Sequence, residues 1–132
     1  MSSEINCGKW ISQERGNLFF MDFSDLPFVP QRAFYVSSVP PGEVRGEHAH
    51  HECEQMLVCV RGKIIVTLDT GQERTEHVLH AGETLFHGKL EWAELQYYDD
   101  AEMLSLCSTE YDAADYIAKY EDFLKEVNCH EK

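Results

Sequence analysis

The sequence predicts an all-β fold, a small jelly-roll barrel that carries one C-terminal α-helix. Two observations lead to this prediction. Short apolar runs alternate with turn-forming residues along most of the chain, at the spacing of a β-sandwich or barrel. The last segment then changes to an apolar spacing of three and four residues, which is typical of an amphipathic helix.

The strands are predicted from apolar runs that end at turn residues. The clearest pair is Gln55–Val60 and Lys63–Leu68, and Arg61-Gly62 between them predicts a tight hairpin because glycine accepts a positive φ. Two earlier strands are predicted at residues 17–23 and 32–37, and weaker patterns predict further strands near residues 76–79, 84–87, 92–97 and 103–108. The segment Tyr97–Asp100, between the last two, is interpreted as a strand end and a turn.

The C-terminal helix is predicted over residues of about 112–127. Asp112 is its expected N-cap, with Asp115 three residues further on. The aromatic stripe of this helix is expected to pack against the barrel. A chain of 132 residues suits one domain with a modest core, so residues 1–132 are treated as a single domain.

Composition excludes several classes of function. The net charge of −13 argues against nucleic acid and against an anionic membrane surface as partners. The five cysteines are odd in number and include no C-x-x-C pair, which favours reduced thiols in a cytoplasmic protein. The N-terminus does not resemble a signal peptide, and no segment reaches the apolar length of a membrane helix.

The candidate site precedes the most apolar predicted strand. Alternate residues of an extended chain face the same way, so His48 and His50 share one face, and Arg45 is close enough to reach the same pocket. Imidazoles that change charge near neutral pH serve either in proton transfer or as metal ligands. An arginine beside them stabilises an oxyanion or holds a phosphate.

The metal hypothesis rests on spacing. Gly42, His48, His50 and Glu54 are similar to the first motif of the cupins, in which two histidines and a glutamate bind a metal. The second cupin motif is not reproduced, because Ala93 stands where its histidine belongs. Two hypotheses therefore stay open: a metal held by His48, His50 and Glu54, or metal-free acid–base chemistry by the two histidines.

Longer motifs along the chain carry a resemblance to one group of cupins. Those motifs are Glu14-Arg15-Gly16-Asn17-Leu18, Arg32-Ala33-Phe34-Tyr35, Arg45-Gly46-x-His48-Ala49-His50 with Glu54-Gln55, Trp92-x-Glu94, and Tyr111-Asp112-x-x-Asp115-Tyr116-Ile117. The chain resembles the sugar 3,4-ketoisomerases, which act on dTDP-4-keto-6-deoxyglucose. The resemblance implies a cupin jelly-roll barrel, no cofactor, and a homodimer in which N-terminal strands at about residues 8–23 are often exchanged.

The resemblance also implies roles for particular residues. His48 and His50 are expected to move a proton between C3 and C4 through an enediol, and His50 is slightly favoured as the base. Tyr35 and Arg45 match positions that line the family's active site. The remaining residues predicted to bind substrate are Arg15, Gln55, Trp92 and Glu94.

Each of these residues also has a plainer interpretation. Arg15 is interpreted either as a phosphate contact or as a salt-bridged surface residue. Trp92 either packs in the core or offers a platform for a sugar or base. Glu54, without a metal, is expected to orient a histidine or to pair with an arginine. His51 is expected on the opposite face of the sheet. His77, His80 and His87 share no ligand spacing and are interpreted as solvated.

The preferred hypothesis is a metal-independent isomerase that moves the ketone of a dTDP-linked 4-keto-6-deoxy sugar from C4 to C3. The first alternative is a metal-dependent, dioxygenase-like cupin that uses His48, His50 and Glu54. The second is a cupin that binds a sugar nucleotide without turning it over.

Overall fold

A computed structural model describes residues 7–130 of the chain. Within this range the strands are, in chain order, β1 Gly8–Gln13, β2 Gly16–Met21, β3 Arg32–Val36, β4 Val44–His50, β5 Gln55–Asp69, β6 Arg74–His80, β7 Thr84–His87, β8 Trp92–Cys107 and β9 Tyr116–Ile117. The helix α1 spans Tyr120–His130, and short 3-10 helices occupy Phe23–Asp25 and Ala113–Asp115. The prediction of an all-β fold with one C-terminal helix is confirmed.

Two long strands, β5 and β8, hold the barrel together. They pair antiparallel along almost their whole length, from Gln55 opposite Cys107 to Asp69 opposite Trp92. The first half of β5 also pairs with β7, and its second half pairs with β6. In the same way, β8 pairs with β4 near its start and with β3 near its end. Each long strand therefore runs through both halves of one continuous sheet, the half with β3 and β7 and the half with β4 and β6, and these halves are called here the two sheets of the barrel.

The predicted hairpin at Arg61-Gly62 is wrong, and so is the predicted turn at Tyr97–Asp100. Both segments lie inside continuous strands, where the β5–β8 register shifts between Cys59 and Lys63. Gly62 has a φ of +76°, and Asp99 and Asp100 opposite it have φ of +59° and +56°. Residues in this left-handed region bend a strand sharply without ending its pairing. The same glycine that predicts a turn thus forms a bulge.

The core lies between the two sheets and draws on both halves of the long strands. Leu57 and Cys59 from the first half of β5 belong to the same buried cluster as Ile64 and Val66 from its second half. A separate buried cluster lies under α1, where Phe123 and Val127 pack on Trp92, Ala49 and Ile117. All five cysteines are free thiols, as predicted, and four of them are buried.

The start of the C-terminal helix differs from the prediction. Asp112 caps the short 3-10 helix instead, where its side chain accepts from the backbone N–H of Ala114. Tyr116 and Ile117 then form β9, which pairs with His50 and Ala49 of β4. The sequence pattern placed these two residues in the helix because a short strand and a helix bury the same kinds of side chain, so the apolar spacing does not separate them.

The N-terminal hairpin β1–β2 forms its own two-stranded sheet. It exposes large apolar side chains at Trp10, Ile11 and Leu18, which are 43%, 39% and 52% accessible. None of the helices in residues 7–130 is long and apolar enough to cross a membrane.

The bulge predicts a stability effect at Gly62. A Cβ atom there would lie 2.6 Å from the Asp99 carbonyl oxygen and 2.7 Å from that of Tyr98. We expect Gly62→Ala to lower the free energy of unfolding by roughly 2–4 kcal/mol, because it adds a backbone clash to an unfavourable φ. Gly42→Ala is the control, since Gly42 has nearly the same φ, +79°, and its Cβ would meet only the Tyr98 ring at 3.9 Å, so it should cost about 1–2 kcal/mol. Urea unfolding followed by circular dichroism measures both, and equal losses would contradict the steric explanation.

Candidate active site

A small cavity of about 70 Å³ opens between the two sheets. Its walls carry apolar side chains from several strands, with a few polar groups among them. The polar residues are Arg45 and His48 of β4, Gln55 of β5, His87 of β7 and Tyr97 of β8. A largely apolar cavity with converging polar groups is the usual form of a small-molecule site.

His48 is positioned by a bulge at the start of β4. The pairing of β4 with β8 shifts between Gly46 and His48, and both Gly46 and Glu47 have positive φ, at +84° and +53°. The bulge brings Nδ1 of His48 to 2.9 Å from the Gly46 carbonyl oxygen. A carbonyl only accepts, so Nδ1 carries the proton and Nε2 keeps its lone pair. His48 therefore has a basic nitrogen ready to accept a proton.

His50 is held between an amide and a carboxylate. It is only 1% exposed, and its Nε2 lies 3.3 Å from Nε2 of Gln55. The Ser105 hydroxyl donates to Oε1 of Gln55, which leaves the amide N–H to donate to His50. On the other side, Nδ1 lies 3.3 Å from Asp115, in an angled approach that is not a well-aligned hydrogen bond. Both ring nitrogens thus face protein groups.

Asp115 is a site residue that sequence reasoning assigned to a helix. Its carboxylate accepts from the backbone N–H groups of Glu52 and Cys53, at 2.7 and 3.1 Å, and so stays fixed beside His50. Tyr116, the next residue, places its ring 4.4 Å from the ring of His50 and 5.1 Å from that of His48. The Asp115-Tyr116 pair in the last motif was the available signal.

His87 was expected to be solvated, and that interpretation is wrong. It is 2% exposed and lines the cavity, with its ring centroid 6.0 Å from that of His50. Its Nε2 donates to the carbonyl oxygen of Glu91 at 2.8 Å. Position 87 faces inward because β7 pairs with β5, where Gln55 is its direct partner. No spacing along the sequence could show that pairing.

All three imidazoles are kept neutral. Burial lowers the pKa of His48, and the Gly46 carbonyl offsets this only in part. Burial lowers the pKa of His50 to about 3, assisted by His87 and His48 and opposed by Asp115. Burial lowers the pKa of His87 to about 4. A neutral imidazole keeps a lone pair that can accept a proton, but a lowered pKa also makes it a weaker base, so it holds that proton only when a negative charge develops beside it.

The predicted substrate-binding residues are divided between two faces. Arg45 and Gln55 lie on the cavity wall. Trp92 and Glu94 lie on the other face of β8 from the cavity-lining Ala93 and Leu95, because side chains alternate along a strand. There the Trp92 indole donates to Glu94 at 3.0 Å. Trp92 is therefore a core residue under α1 and offers no platform inside this cavity.

Tyr35 and Arg15 also lie away from the cavity. Tyr35 is 52% exposed and donates to Glu102 across the strand pair, while its neighbours Phe34 and Val36 face inward. Arg15 lies at the turn between β1 and β2 and is exposed. Within one chain, neither side chain lines the wall that His48 and His87 share.

The predicted metal triad of His48, His50 and Glu54 is not assembled. Among residues 7–130, the His, Cys, Asp and Glu donors that converge within 4.8 Å are those of His50, Cys53 and Asp115. Gln55, the neighbour of Glu54, is the residue that meets His50, and an amide is a weaker metal ligand than a carboxylate. The role predicted for Glu54 in orienting a histidine belongs to Asp115.

A second, open groove of about 600 Å³ lies between β9 and α1. His51 contributes to this groove, consistent with its predicted position on the face opposite His50. None of the imidazoles of His48, His50 and His87 lines it.

Comparison with known proteins identifies the family. The model of the family FdtA, described as WxcM-like, C-terminal, matches residues 2–128. The chain belongs to the FdtA family. A curated relative, the TDP-4-oxo-6-deoxy-alpha-D-glucose-3,4-oxoisomerase of Aneurinibacillus thermoaerophilus, is 34% identical over 130 residues, which are 96% of this chain and 94% of the relative.

Solved structures agree with this assignment. A 3,4-ketoisomerase from Helicobacter canadensis superposes with a TM-score of 0.86 at 31% identity, over 93% of this chain and 95% of that protein. QdtA, a sugar 3,4-ketoisomerase from Thermoanaerobacterium thermosaccharolyticum solved in complex with TDP, also gives 0.86, at 29% identity over 92% and 91% of the two chains. The predicted family and the predicted cupin barrel are confirmed.

The buried histidines of this FdtA family member predict a dependence of stability on pH. Below the ordinary His pKa of 6.5, His50 and His87 bind protons in the unfolded chain but stay unprotonated in the native state. Stability should therefore fall with pH between about 6 and 4.5, by up to about 1.4 kcal/mol per pH unit for each histidine. Protonation of native His87 near pH 4 and of native His50 near pH 3 would end this loss.

The His87→Gln variant isolates one of these contributions. Its unfolding free energy, measured in urea at pH 7, 6 and 5, should fall less steeply than that of the wild type, by about 1 kcal/mol per pH unit on average and by at most about 1.4 at the acidic end. Carboxylates contribute equally to both proteins and cancel in this difference. Identical slopes would mean that His87 is not held neutral.

Proposed function

We propose that this protein is a metal-independent isomerase that moves the ketone of dTDP-4-keto-6-deoxyglucose from C4 to C3. The observation that carries the proposal is the cluster of neutral imidazoles of His48, His50 and His87 in a member of the FdtA family, with His48 and His87 on the cavity wall and His50 packed beside them. The substrate is taken from the curated relative, whose name specifies TDP-4-oxo-6-deoxy-alpha-D-glucose.

The reaction requires a base that removes the proton from C3 and returns it to C4. Among the three histidines, His48 meets this requirement best. Its Nδ1 proton is committed to the Gly46 carbonyl, which leaves the Nε2 lone pair available at the cavity wall. His50 is less suitable because Gln55 already donates to its Nε2. We therefore assign the base to His48, although the sequence alone slightly favoured His50.

His50 packs against the base and helps to fix the orientation of its ring. The His50 ring packs edge-on against that of His48 with centroids 4.8 Å apart, and Asp115 and Gln55 fix the orientation of His50.

The lowered pKa of His48 does not prevent catalysis. As the proton leaves C3, negative charge develops on the enediolate beside the new imidazolium, and the two charges stabilise each other strongly in a buried site.

Arg45 lies where the cavity meets the surface. A volume of about 70 Å³ holds only the reacting edge of a sugar, so the nucleotide has to extend outside. An open groove of about 520 Å³ along Ser37–Pro40 and Glu43–Gly46 shares Arg45 with the cavity. We assign Arg45 to an enediolate oxygen or to the diphosphate at C1 of the sugar, both of which a guanidinium binds well.

The proposed assembly is a homodimer with exchanged N-terminal strands. The β1–β2 hairpin supports this proposal because it pairs with no other strand in residues 7–130 and exposes a row of apolar side chains. Exposed apolar patches of this kind are typical of protein interfaces. In an exchanged dimer, Arg15 at the tip of the hairpin would be carried to the partner's barrel.

Leu18→Glu tests the dimer. Leu18 is 52% exposed in the hairpin, and a charge there should shift the protein towards monomer in sedimentation velocity at micromolar concentration. Val29→Glu is the control, because Val29 is 74% exposed but lies outside the hairpin, and it should leave the distribution unchanged. A Leu18→Glu variant that sediments like the wild type would count against a hairpin interface.

The activity is tested by proton NMR of the enzyme with dTDP-4-keto-6-deoxyglucose in D2O. We expect conversion to a 3-keto sugar with deuterium at C4, and the coupling constant at C4 distinguishes a gluco from a galacto product. An unchanged spectrum with folded protein would overturn the proposed reaction for this substrate.

The base is tested by comparing His48→Asn with His50→Asn. We expect His48→Asn to lower kcat by at least about 100-fold and to abolish deuterium exchange at C3, because it removes the proton acceptor. His50→Asn should retain measurable exchange. Affinity for TDP, measured by calorimetry, should change little in either variant. The opposite order of the two variants would assign the base to His50.

A further inference from the structure

His87 is a buried imidazole that the base assignment leaves without a role. It lies on the cavity wall, on a different strand from His48, and is 2% exposed. Burying a polar ring at this position is costly unless its hydrogen bonds are satisfied. If this position only had to fill the wall, an apolar side chain would do so at lower cost, as Leu57 and Leu95 do on the same wall.

The surroundings of His87 fix its tautomer. Its Nε2 donates to the Glu91 carbonyl, and the Glu91 carboxylate in turn accepts from the backbone N–H of Gly88 at 2.6 Å. The turn between β7 and β8 thus holds the ring by one nitrogen. Nδ1 is then the unprotonated nitrogen, with a lone pair that can accept a hydrogen bond.

The proposed isomerisation moves two protons. One passes from C3 to C4, and the other has to pass from the hydroxyl oxygen at C3 to the carbonyl oxygen at C4. The base that removes the C3 proton faces a C–H bond that stands perpendicular to the plane of the developing enediolate. The two oxygens lie in that plane, so the same base is poorly placed to move a proton between them. A second group beside the two oxygens that both accepts and donates can carry this proton without admitting solvent to the enediolate.

Most polar residues on the cavity wall cannot serve in this way. The Arg45 guanidinium does not deprotonate, and the Gln55 amide does not titrate. Burial raises the pKa of Tyr97 to about 12, and its hydroxyl donates to the sulfur of Met103. Among the polar residues that line the cavity, His87 remains as a neutral group with an available lone pair, on the same wall as the base His48.

We propose that His87 carries the hydroxyl proton from O3 to O4 of the enediolate, while His48 carries the carbon-bound proton from C3 to C4. This proposal rests on the proposed function. His48 first takes the C3 proton, and the C–H electron pair forms the C3=C4 bond as the C4 carbonyl becomes an enolate oxygen. Nδ1 of His87 then accepts the O3 proton and gives it to O4. The O3 electron pair forms the new carbonyl, and C4 takes the proton from His48.

The proposed proton transfers need no reactant besides the substrate and the two histidines. Each histidine ends in the state in which it began, C4 is reduced as C3 is oxidised within one molecule, and no proton is gained or lost. The division of labour also separates two measurable steps. Exchange of the C3 proton with solvent depends on His48 alone, whereas net isomerisation depends on both histidines.

The test compares His87→Gln with the wild type and with His80→Gln, in D2O, with dTDP-4-keto-6-deoxyglucose. Glutamine can keep the donor to the Glu91 carbonyl but cannot carry a proton. His80 is an exposed histidine of β6 outside the cavity, and its variant should match the wild type. We expect His87→Gln to lower net isomerisation by at least about 100-fold while C3 deuterium exchange stays within a few-fold of the wild-type rate.

The other outcomes overturn the proposal in distinguishable ways. Unchanged isomerisation in His87→Gln would show that O3 and O4 exchange their proton without it. A parallel loss of exchange and isomerisation, with unaltered circular dichroism and TDP affinity, would make His87 a positioning residue for His48. His87→Asn, which loses the donor to Glu91, controls for misplacement of the ring. Absence of conversion by the wild type in the same series would instead overturn the proposed function itself.

Discussion

The pairing of β5 with β8 is the constraint on which the rest of the structure depends. Both strands pass through both sheets, and they do so because facing bulges at Gly62 and at Asp99-Asp100 bend them together. The bend brings strands that are distant in the sequence around one enclosed space. His48 arrives from β4, Gln55 from β5 and His87 from β7, and all three line a cavity that no single hairpin could enclose.

The second organising interaction is the Asp115 carboxylate. It ties the segment after the barrel to the backbone of Glu52 and Cys53, and it faces His50 at 3.3 Å. A buried neutral imidazole costs less free energy than a charged one, so burial and neighbouring histidines outweigh the attraction of this single carboxylate. The result is a cluster of neutral imidazoles in which the neighbouring groups define the tautomer of each ring.

The sequence was most informative where chemistry is local. The His48-x-His50 spacing places two rings on one face in any extended strand, and the resemblance to sugar 3,4-ketoisomerases rested on residues along nearly the whole chain. It was least informative where one strand meets another. The alternation of Trp92 and Glu94 with Ala93 and Leu95 is visible in the sequence, but which of the two faces lines the cavity depends on the partners of β8.

The sequence by itself determined the all-β class, the family and the placement of His48 and His50 on one strand of the candidate site, because apolar period and short-range spacing are properties of neighbouring residues. Only the tertiary structure decided that Gly62 bends a strand instead of ending it, that Asp115 serves His50, and that His87 completes the cluster. These decisions depend on cross-strand register and burial, which couple residues far apart in the chain. A lone histidine between Phe86 and Gly88 reveals neither its partner Gln55 nor its removal from water.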